Sequence, residues 1–371
     1  MNLTQEQINQ LRLIRSHNIG RANFFSLIEK FGSATAAILE IEDLIKKGQF
    51  THKIKLADPK SIDDEISKTY KFGAQIIFHD QEIYSNLLSQ NHDSPPIITA
   101  KGNIDLLNQP TFAIVGSRNA SFNSVSFTKK IASELSKSFV IASGLARGVD
   151  SAAHHAAINS ATIAVIAGGI DNIYPKENRD LYKQIFDQGL IITEQPFDSP
   201  PVANNFVKRN RIISGLSKGV LVVEAGIKSG SLTTARFAGE QGREVFAIPG
   251  SPIDGRSSGC NKLIKEGAKI VEDVNDILEE FGNLKAPKLV TKKITKSVEI
   301  VSPKKVNQHS DLNSLEKEII SKISNTPIAI EELNQLVSAP VNLINIALVK
   351  LEMADKIEVN YGKINLRAQL D

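Results

Sequence analysis

The chain has 371 residues, and its hydrophobic fraction of 41% and charged fraction of 23% are typical of soluble globular proteins with two or three domains. The formal net charge is only +3, so attraction to nucleic acid or membrane requires local clusters of charge. The single cysteine, Cys260, excludes an internal disulfide and a cysteine-based zinc site. No run approaches the ~20 apolar residues that span a bilayer, and the first residues contain no apolar signal segment, so we expect a cytoplasmic protein without a membrane partner.

Residues 1–79 are predicted to form a helical domain. Apolar residues recur at helical spacing over residues 4–15, and the pattern resumes over residues 21–31 after a break that contains Gly20. Helix, glycine turn and helix resemble a helix-hairpin-helix unit, which can hold a DNA backbone. A packing module of short helices is the simpler interpretation, because Asn18-Ile19-Gly20 is a short and common string. Two more helices are expected over residues 38–47 and 63–72.

From residue 80 the sequence predicts a second domain that ends near residue 284. One strand is predicted just before this boundary, at residues 74–78. The apolar runs of the second domain predict strands at residues 97–100, 113–115, 140–142, 162–167, 190–193, 220–223 and 245–248. Helices are predicted at residues 124–137, 149–159, 178–188 and 272–281, with two more after residues 204 and 231. Alternating strands and helices with continuous apolar strands predict an α/β fold with a doubly wound, mostly parallel sheet.

Residues 285–311 are predicted to be a linker, because residues 285–308 contain seven Lys, one acidic residue and two Pro without a sustained period. Residues 312–371 show three helical runs followed by two short strands, which is the order of a winged-helix domain. The second and third runs carry three glutamates against one lysine, which argues against strong binding in a DNA groove and favours protein contact or self-regulation.

Four small-residue turns follow predicted strands, at residues 116–118, 143–148, 168–171 and 225–231. The carboxyl ends of parallel strands lie at one edge of a doubly wound sheet, so we expect these turns to converge on a ligand crevice. Their glycines would let a ligand backbone approach, and Arg118 and Arg147 emerge from two of them. A single glycine turn is ordinary strand–helix geometry, but four with interleaved arginines indicate a phosphate-bearing ligand.

The predicted helix after residue 204 carries the main basic cluster of this domain. It contains Lys208, Arg209 and Arg211 and no acidic residue up to Lys218. A charge run is usually a solvated helix face. Here Phe206 adds an aromatic surface for an unstacked base and Asn210 can bond a base edge, and a cationic groove with an aromatic platform is what single-stranded nucleic acid requires.

No cofactor, metal site or catalytic residue is predicted. The turns match neither the G-x-G-x-x-G fingerprint nor the Walker motif, which disfavours an NAD enzyme and a P-loop NTPase. His154 and His155 are adjacent and diverge on a helix, and Asp150 is explained by helix capping. The rival hypothesis is a nucleotide N-glycosidase or phosphoribohydrolase with Glu224 or Glu194 as the acid, and a third is a protein scaffold.

At these residues the chain resembles the DNA-processing protein A (DprA/Smf) family of bacteria. The matching strings include AIVGSRNAS (113–121), IASGLARGVDSAAHHAAI (141–158), FVKRNRIISGLSKGVLVVEAGIKSGSLTTARFAGEQGREVFAIPGSP (206–252) and GCNKLIKEGA (259–268). The match is close over residues ~80–282 and looser in the flanking domains. The resemblance implies an extended Rossmann-like fold, usually a homodimer. It also implies binding of single-stranded DNA and loading of the RecA recombinase onto incoming strands during natural transformation.

The residue pattern and the resemblance together define one predicted binding site for single-stranded DNA. Its residues are Gly116, Ser117, Arg118, Gly144, Arg147, Phe206, Lys208, Arg209, Asn210, Arg211, Ser229, Gly230 and Ser231. The resemblance transfers no catalytic role to any of them.

Overall fold

The structure is a computed structural model that describes residues 3–47, 54–282, 315–320, 328–330, 333, 337, 339–354, 356–360 and 363–366. The chain divides into two compact units, Met1–Thr291 and Lys292–Asp371. The predicted linker at residues 285–311 lies outside the described residues. None of the described helices is long and apolar enough to cross a membrane.

The first unit begins with four helices, as predicted. They are α1 (Gln5–Arg15), α2 (Arg21–Phe31), α3 (Ala34–Lys46) and α4 (Pro59–Lys71). The Thr4 hydroxyl accepts from the Gln7 amide at 3.3 Å, and the Gln7 side chain accepts from the Thr4 amide at 2.9 Å, which together form a capping box at the start of α1. Helix α4 begins earlier than predicted because Pro59 occupies its first turn, where a missing amide hydrogen costs nothing.

Nine strands of the first unit form one sheet. They are β1 (Gln75–Phe78), β2 (Ile97–Gly102), β3 (Thr111–Gly116), β4 (Val140–Ser143), β5 (Thr162–Val165), β6 (Leu190–Thr193), β7 (Gly219–Val223), β8 (Glu244–Ala247) and β9 (Lys269–Ile270). The helices between them are α5 (Asn86–Ser89), α6 (Phe122–Leu135), α7 (Val149–Ala157), α8 (Arg179–Gln188), α9 (Ala203–Gly215), α10 (Ser231–Glu240) and α11 (Ser258–Lys265), and α12 (Asn275–Phe281) follows β9.

The strand order of this sheet is β1-β2-β6-β5-β4-β3-β7-β8-β9. From β3 the chain runs outward through β4, β5 and β6, then returns to place β7 on the other side of β3. Strands β3 to β9 pair in parallel, and β1 and β2 extend the edge beyond β6 in antiparallel pairing. The predicted mostly parallel, doubly wound sheet is therefore confirmed, and its topological switch point lies between β3 and β7.

Helices cover both faces of the sheet. Ile114 of β3 faces one core, which contains Ile131 of α6 together with residues of α7 and α12. Its neighbour Val115 faces the opposite core, which contains Ile212 of α9 and residues of α10 and α11. Because alternate strand residues point to opposite faces, both must be apolar, and all five residues of β7 are accordingly buried. Loops from both helix layers thus meet above the carboxyl ends of β3 and β7.

The second unit contains a three-stranded antiparallel sheet and a helix. They are β10 (Ile328–Ala329), β11 (Ile357–Asn360), β12 (Lys363–Leu366) and α13 (Val341–Met353), with the strand order β10-β12-β11. Ile344 of α13 packs in one core with Ile357 and Ile364 of the sheet. The predicted third helix and both predicted strands are present, whereas the turn around residue 361 and most of the second predicted helix lie outside the described residues. The winged-helix assignment stays a prediction.

Candidate nucleic-acid interface

A cleft of about 690 Å³ lies at the switch point, where turns after β3 and β7 meet the amino-terminal half of α9. The structure brings nine of the predicted site residues together along its wall. These are Gly116, Ser117, Arg118, Phe206, Arg209, Asn210, Ser229, Gly230 and Ser231. A switch-point crevice is where ligands bind in open α/β sheets, so the position of the cleft agrees with its expected use.

Arg118, Phe206 and Tyr174 form an aromatic–cationic cluster in the cleft. The guanidinium carbon of Arg118 lies 5.1 Å from the centroid of the Phe206 ring, within cation–π range. The Tyr174 ring meets Phe206 edge-on, with 5.4 Å between the ring centroids. Arg118 is exposed and Tyr174 is 46% exposed, so the cluster presents both positive charge and ring surface to solvent.

Arg209 is the buried cation of the cleft, with only 5% of its surface exposed. Its Nη1 donates to the Val165 carbonyl oxygen at 2.8 Å, while its Nε is buried without a hydrogen-bond partner. Burial lowers the pKa of Arg209 to about 10, an effect that the charge of Asp150 opposes. Arg209 therefore remains positively charged at neutral pH and adds a fixed positive charge to the cleft that it lines.

Asp150, in the first turn of α7, supplies the negative charge beside Arg209. Its Oδ2 accepts from the amides of Gly144 and Ala146 at 3.2 and 3.4 Å. Burial raises the pKa of Asp150, while Arg209 and these backbone donors act in the opposite direction. The capping explanation from the sequence is wrong, because Gly148 is the N-cap of α7 and no side chain caps this helix. The Asp150 carboxylate instead orders the turn after β4 and partly balances Arg209.

Two glycines of the rim are required by the protein's own packing. A Cβ at Gly116 would lie 1.9 Å from the Val223 carbonyl oxygen, and one at Gly144 would lie 1.6 Å from Nη1 of Arg209. From the sequence, these glycines were predicted to make room for a ligand. Instead, Gly144 makes room for the Arg209 guanidinium, and Gly116 permits close contact between the ends of β3 and β7.

Three predicted cations lie away from the cleft wall. Arg147 is 59% exposed with Glu177 at 3.9 Å, and Lys208 is exposed on α9. Arg211 is mostly buried, and its Nη2 lies 2.5 Å from Oε2 of Glu194. Helical geometry explains why Lys208 and Arg211 do not line the cleft, because residues 206, 209 and 210 share the face of α9 that meets it.

Hydrogen bonds within the turn after β7 and from α9 hold this turn in place. Asn210 donates from Nδ2 to the Gly230 carbonyl oxygen at 3.1 Å, and the hydroxyls of Ser229 and Ser231 lie 2.7 Å apart. Asn210 was predicted to bond a base edge, and in the structure its amide holds this turn against α9. Lys228, at the tip of the turn, also lines the cleft.

Glu224, the first candidate acid of the enzyme hypothesis, lies just after β7 and is 7% exposed. It accepts hydrogen bonds from the Ser121 amide and from the hydroxyls of Ser121 and Ser124. Burial would raise the pKa of Glu224, but these serine donors together with Arg256 lower it below its ordinary value. A general acid needs the opposite shift, so the geometry assigns Glu224 to anchoring the start of α6.

Other titratable groups near the rim are engaged in packing. Glu194 forms the ion pair with Arg211 and is absent from the cleft wall. His154 is fully buried, with Nδ1 2.7 Å from the Thr162 hydroxyl, and burial lowers its pKa to about 3. Among the described residues, no group of three or more His, Cys, Asp or Glu side chains is placed to hold a metal ion.

Sequence reasoning missed several residues of the cleft wall. Tyr174 comes from the segment after β5, and its aromatic ring at a strand-end turn was a usable signal. Asn119 directly follows the predicted Arg118 and could have been included. The pairing of Asp150 with Arg209 left no signal, because the two residues are far apart in sequence and come from different helices.

Three bacterial proteins are similar to this chain in sequence. It is 46% identical over 224 residues to the DNA processing protein DprA of Streptococcus pneumoniae, which covers 59% of this chain and 79% of that protein. It is 42% identical over 229 residues to the protein Smf of Escherichia coli, covering 60% of this chain and 61% of that one. With DprA of Bacillus subtilis it shares 39% identity over 255 residues, or 67% of this chain and 86% of that protein.

Two solved structures show the same architecture. The DprA structure from S. pneumoniae matches with a TM-score of 0.64 at 36% identity and covers 76% of this chain and 100% of that chain. A structure of DNA processing protein A from Helicobacter pylori, concerned with its single-stranded DNA binding mode, matches with a TM-score of 0.51 at 30% identity. It covers 56% of this chain and 95% of that one.

Two family models match consecutive parts of the chain. A DprA-like N-terminal HHH domain matches residues 4–67, in agreement with the four amino-terminal helices and their predicted helix-hairpin-helix character. The model for DNA recombination-mediator protein A matches residues 75–282, which contain the sheet and the cleft. The chain therefore belongs to the DNA recombination-mediator protein A (DprA/Smf) family.

Proposed function

We propose that this protein binds single-stranded DNA in the switch-point cleft without strict sequence choice and catalyses no reaction there. The observation that carries the proposal is the placement of Arg118 over the Phe206 ring, beside the buried Arg209. Aromatic faces stack on any base, and cations neutralise any phosphate. This combination therefore binds single-stranded nucleic acid of any sequence.

The geometry also indicates how the strand would bind. Arg209 lines the cleft and is held in place by its bond to the Val165 carbonyl oxygen, so we expect its fixed charge to attract one phosphate. Arg118 is exposed and occupies the Phe206 face that a base would stack on. We expect Arg118 to leave that face when a base arrives and to contact a neighbouring phosphate.

The wider role rests on the family. A relative from H. pylori has been described in terms of single-stranded DNA binding, and this chain shares its fold at 30% identity. We propose that this protein likewise protects incoming single strands and loads the RecA recombinase onto them during natural transformation or recombination, as a homodimer in the cytoplasm. This part of the proposal depends on the resemblance and on no contact in the structure.

A nucleotide-hydrolysing enzyme of the phosphoribohydrolase type remains the rival hypothesis. Its two candidate acids are Glu224, which is hydrogen-bonded by serines, and Glu194, which is paired with Arg211. Neither lines the cleft. Incubating the protein with nucleoside monophosphates and measuring free base distinguishes the hypotheses, since the DNA-binding proposal expects none.

The decisive test compares single- and double-stranded oligonucleotides in a gel-shift titration over a salt series. We expect preference for the single strand and affinity that falls steeply with salt. Arg118→Ala should weaken binding and reduce the slope of log affinity against log salt by about 0.7, the value for one phosphate of a single strand. Lys183→Ala, which removes an exposed cation of α8, is the matched control. Unchanged affinity in Arg118→Ala would refute the site.

A further inference from the structure

Phe122, the first residue of α6, is 85% exposed. Among the described residues only one other aromatic side chain of Phe or Tyr is strongly exposed, Tyr174 at 46%, and Tyr174 lines the cleft. Large rings are rarely left in solvent to this extent, because burying a Phe side chain stabilises a protein by about 1.5–3 kcal/mol. The exposed aromatic surface of the described chain is therefore concentrated near the switch-point rim.

Phe122 lies close to the cleft along the chain. Asn119 lines the cleft, and three residues of fully extended chain span at most about 11 Å, so Phe122 follows within that distance of the wall. The start of α6 is also held at this edge of the sheet, because the hydroxyls of Ser121 and Ser124 both donate to Glu224 at the end of β7. Phe122 therefore begins α6 within about 11 Å of the cleft wall, on a segment anchored to the end of β7.

No folding role accounts for the exposed ring. The start of α6 is capped by the Ser121 hydroxyl, which accepts from the Ser124 amide at 3.2 Å. A hydrophobic staple would use the residue before the cap and the fourth helical residue, and Phe122 is the first helical residue. The start of α6 is therefore stabilised by polar groups that do not involve the Phe122 ring.

The surface around Phe122 suits a polyanion. Residues 117–133 contain Arg118, Lys129 and Lys130 and no acidic residue. Lys129 is exposed two helical turns from Phe122 on the same face of α6. The carboxylate of Glu224, which contacts this segment, is buried and bound by serines.

We infer that Phe122 is a second base-stacking platform, outside the cleft, for the same DNA strand that the cleft holds. The inference rests on the proposed function and extends it. A strand leaving the cleft past Arg118 and Asn119 places its next unstacked base on the Phe122 ring, and the cations of α6 take its phosphates. Stacking is tolerant of sequence, so this platform lengthens the contact without adding sequence preference.

The chain contains no tryptophan, which permits a direct test. In Phe122→Trp the introduced indole is the sole tryptophan, and we expect its fluorescence to be quenched when oligo-dT is added at low salt. Leu39→Trp is the matched control, because Leu39 is 62% exposed on α3 in the amino-terminal helices. That tryptophan should keep its emission at the same oligonucleotide concentrations.

Affinity measurements separate stacking from other roles of Phe122. Phe122→Ala should weaken binding of single strands by about fivefold to 150-fold, from the value of one base–aromatic stack. Its salt slope should equal that of the wild type, since no phosphate contact is lost, and Phe122→Leu should resemble Phe122→Ala because it lacks a ring. The oligomeric mass of both variants, measured by sedimentation, should match the wild type.

Three results would overturn the inference while leaving the proposed function intact. They are an unquenched Phe122→Trp under conditions where a gel shift shows binding, wild-type affinity in Phe122→Ala, and a change of oligomeric mass on losing the ring. The last would assign Phe122 to contact with a second copy. If the wild type retained no single-stranded oligonucleotide at low salt, the proposed function itself would fail.

Discussion

Replacing Gly144 by alanine tests how the buried cation of the cleft is held. The added Cβ would lie 1.6 Å from Nη1 and 2.2 Å from Cζ of Arg209, so the guanidinium must leave its position. Leaving it breaks the hydrogen bond from Nη1 to the Val165 carbonyl oxygen. It also moves the positive charge away from Asp150, whose carboxylate is buried.

The expected loss of stability follows from these contacts. A hydrogen bond from a charged group contributes about 1.5–3 kcal/mol. Forcing an extra carbon into a closely packed region costs about 1–3 kcal/mol more. Gly144→Ala should therefore lower the free energy of unfolding by about 2.5–6 kcal/mol. It should also weaken binding of single-stranded DNA, since the displaced guanidinium enters the cleft.

Urea unfolding followed by circular dichroism measures the first effect, and Gly239→Ala provides the control. Gly239 lies within α10 with no atom within 4 Å of its added Cβ, so its replacement should raise stability by about 0.5–1 kcal/mol. A double-mutant cycle with Arg209→Ala isolates the interaction. If Gly144→Ala costs the same with and without the Arg209 side chain, the glycine does not serve to seat that arginine.

Three further predictions concern charged groups around the rim. Burial lowers the pKa of His154 to about 3, so below pH 6.5 the unfolded chain binds a proton that the folded chain does not. The free energy of unfolding should then fall by about 1.4 kcal/mol per pH unit below 6.5, and a pH series of urea titrations should show this term in the wild type but not in His154→Gln. Glu224→Gln should lower stability by about 1–3 kcal/mol through weaker serine hydrogen bonds. Release of free base from nucleoside monophosphates that disappears in this variant would instead make Glu224 catalytic. Glu194→Gln leaves the mostly buried Arg211 without its counter-charge and should cost about 3 kcal/mol in urea unfolding, and an unchanged midpoint would show that the ion pair contributes nothing.

The sequence predicts the parallel part of the fold because its strands are buried on both faces. Continuous apolar runs such as residues 190–193 and 220–223 correspond closely to β6 and β7. The antiparallel pairing of β1 and β2 could not be read from the same pattern, because burial specifies a strand and not its direction. Helix α11 was missed since it has only eight residues, and tertiary contacts such as the bond from the Gly259 amide to the Ala225 carbonyl hold it in place.

The part of the site formed by strand-end turns could be predicted from the sequence. The part formed by contacts between residues far apart in the sequence could not. Strand-end turns must converge in a doubly wound sheet, and Arg118 accordingly reaches the cleft. The helical period of α9 was sufficient to separate Phe206 and Arg209 from Arg211, although the sequence analysis assigned all three to the site. No periodicity joins Asp150 to Arg209, because their contact exists only once α7 and α9 meet above the sheet.

The two arginines of the cleft make different contributions to the binding of a single strand. Arg209 is already held by Val165, and its charge is partly balanced by Asp150. Binding DNA therefore costs Arg209 little conformational entropy and releases few counterions from it. Arg118 is exposed, and its neutralisation by a phosphate releases counterions. The salt dependence of binding should therefore follow Arg118 and the other exposed cations, whereas the position of the bound phosphate should follow Arg209. Loss of Arg118 should change the slope of affinity against salt, and displacement of Arg209 should lower affinity at every salt concentration with little change of slope.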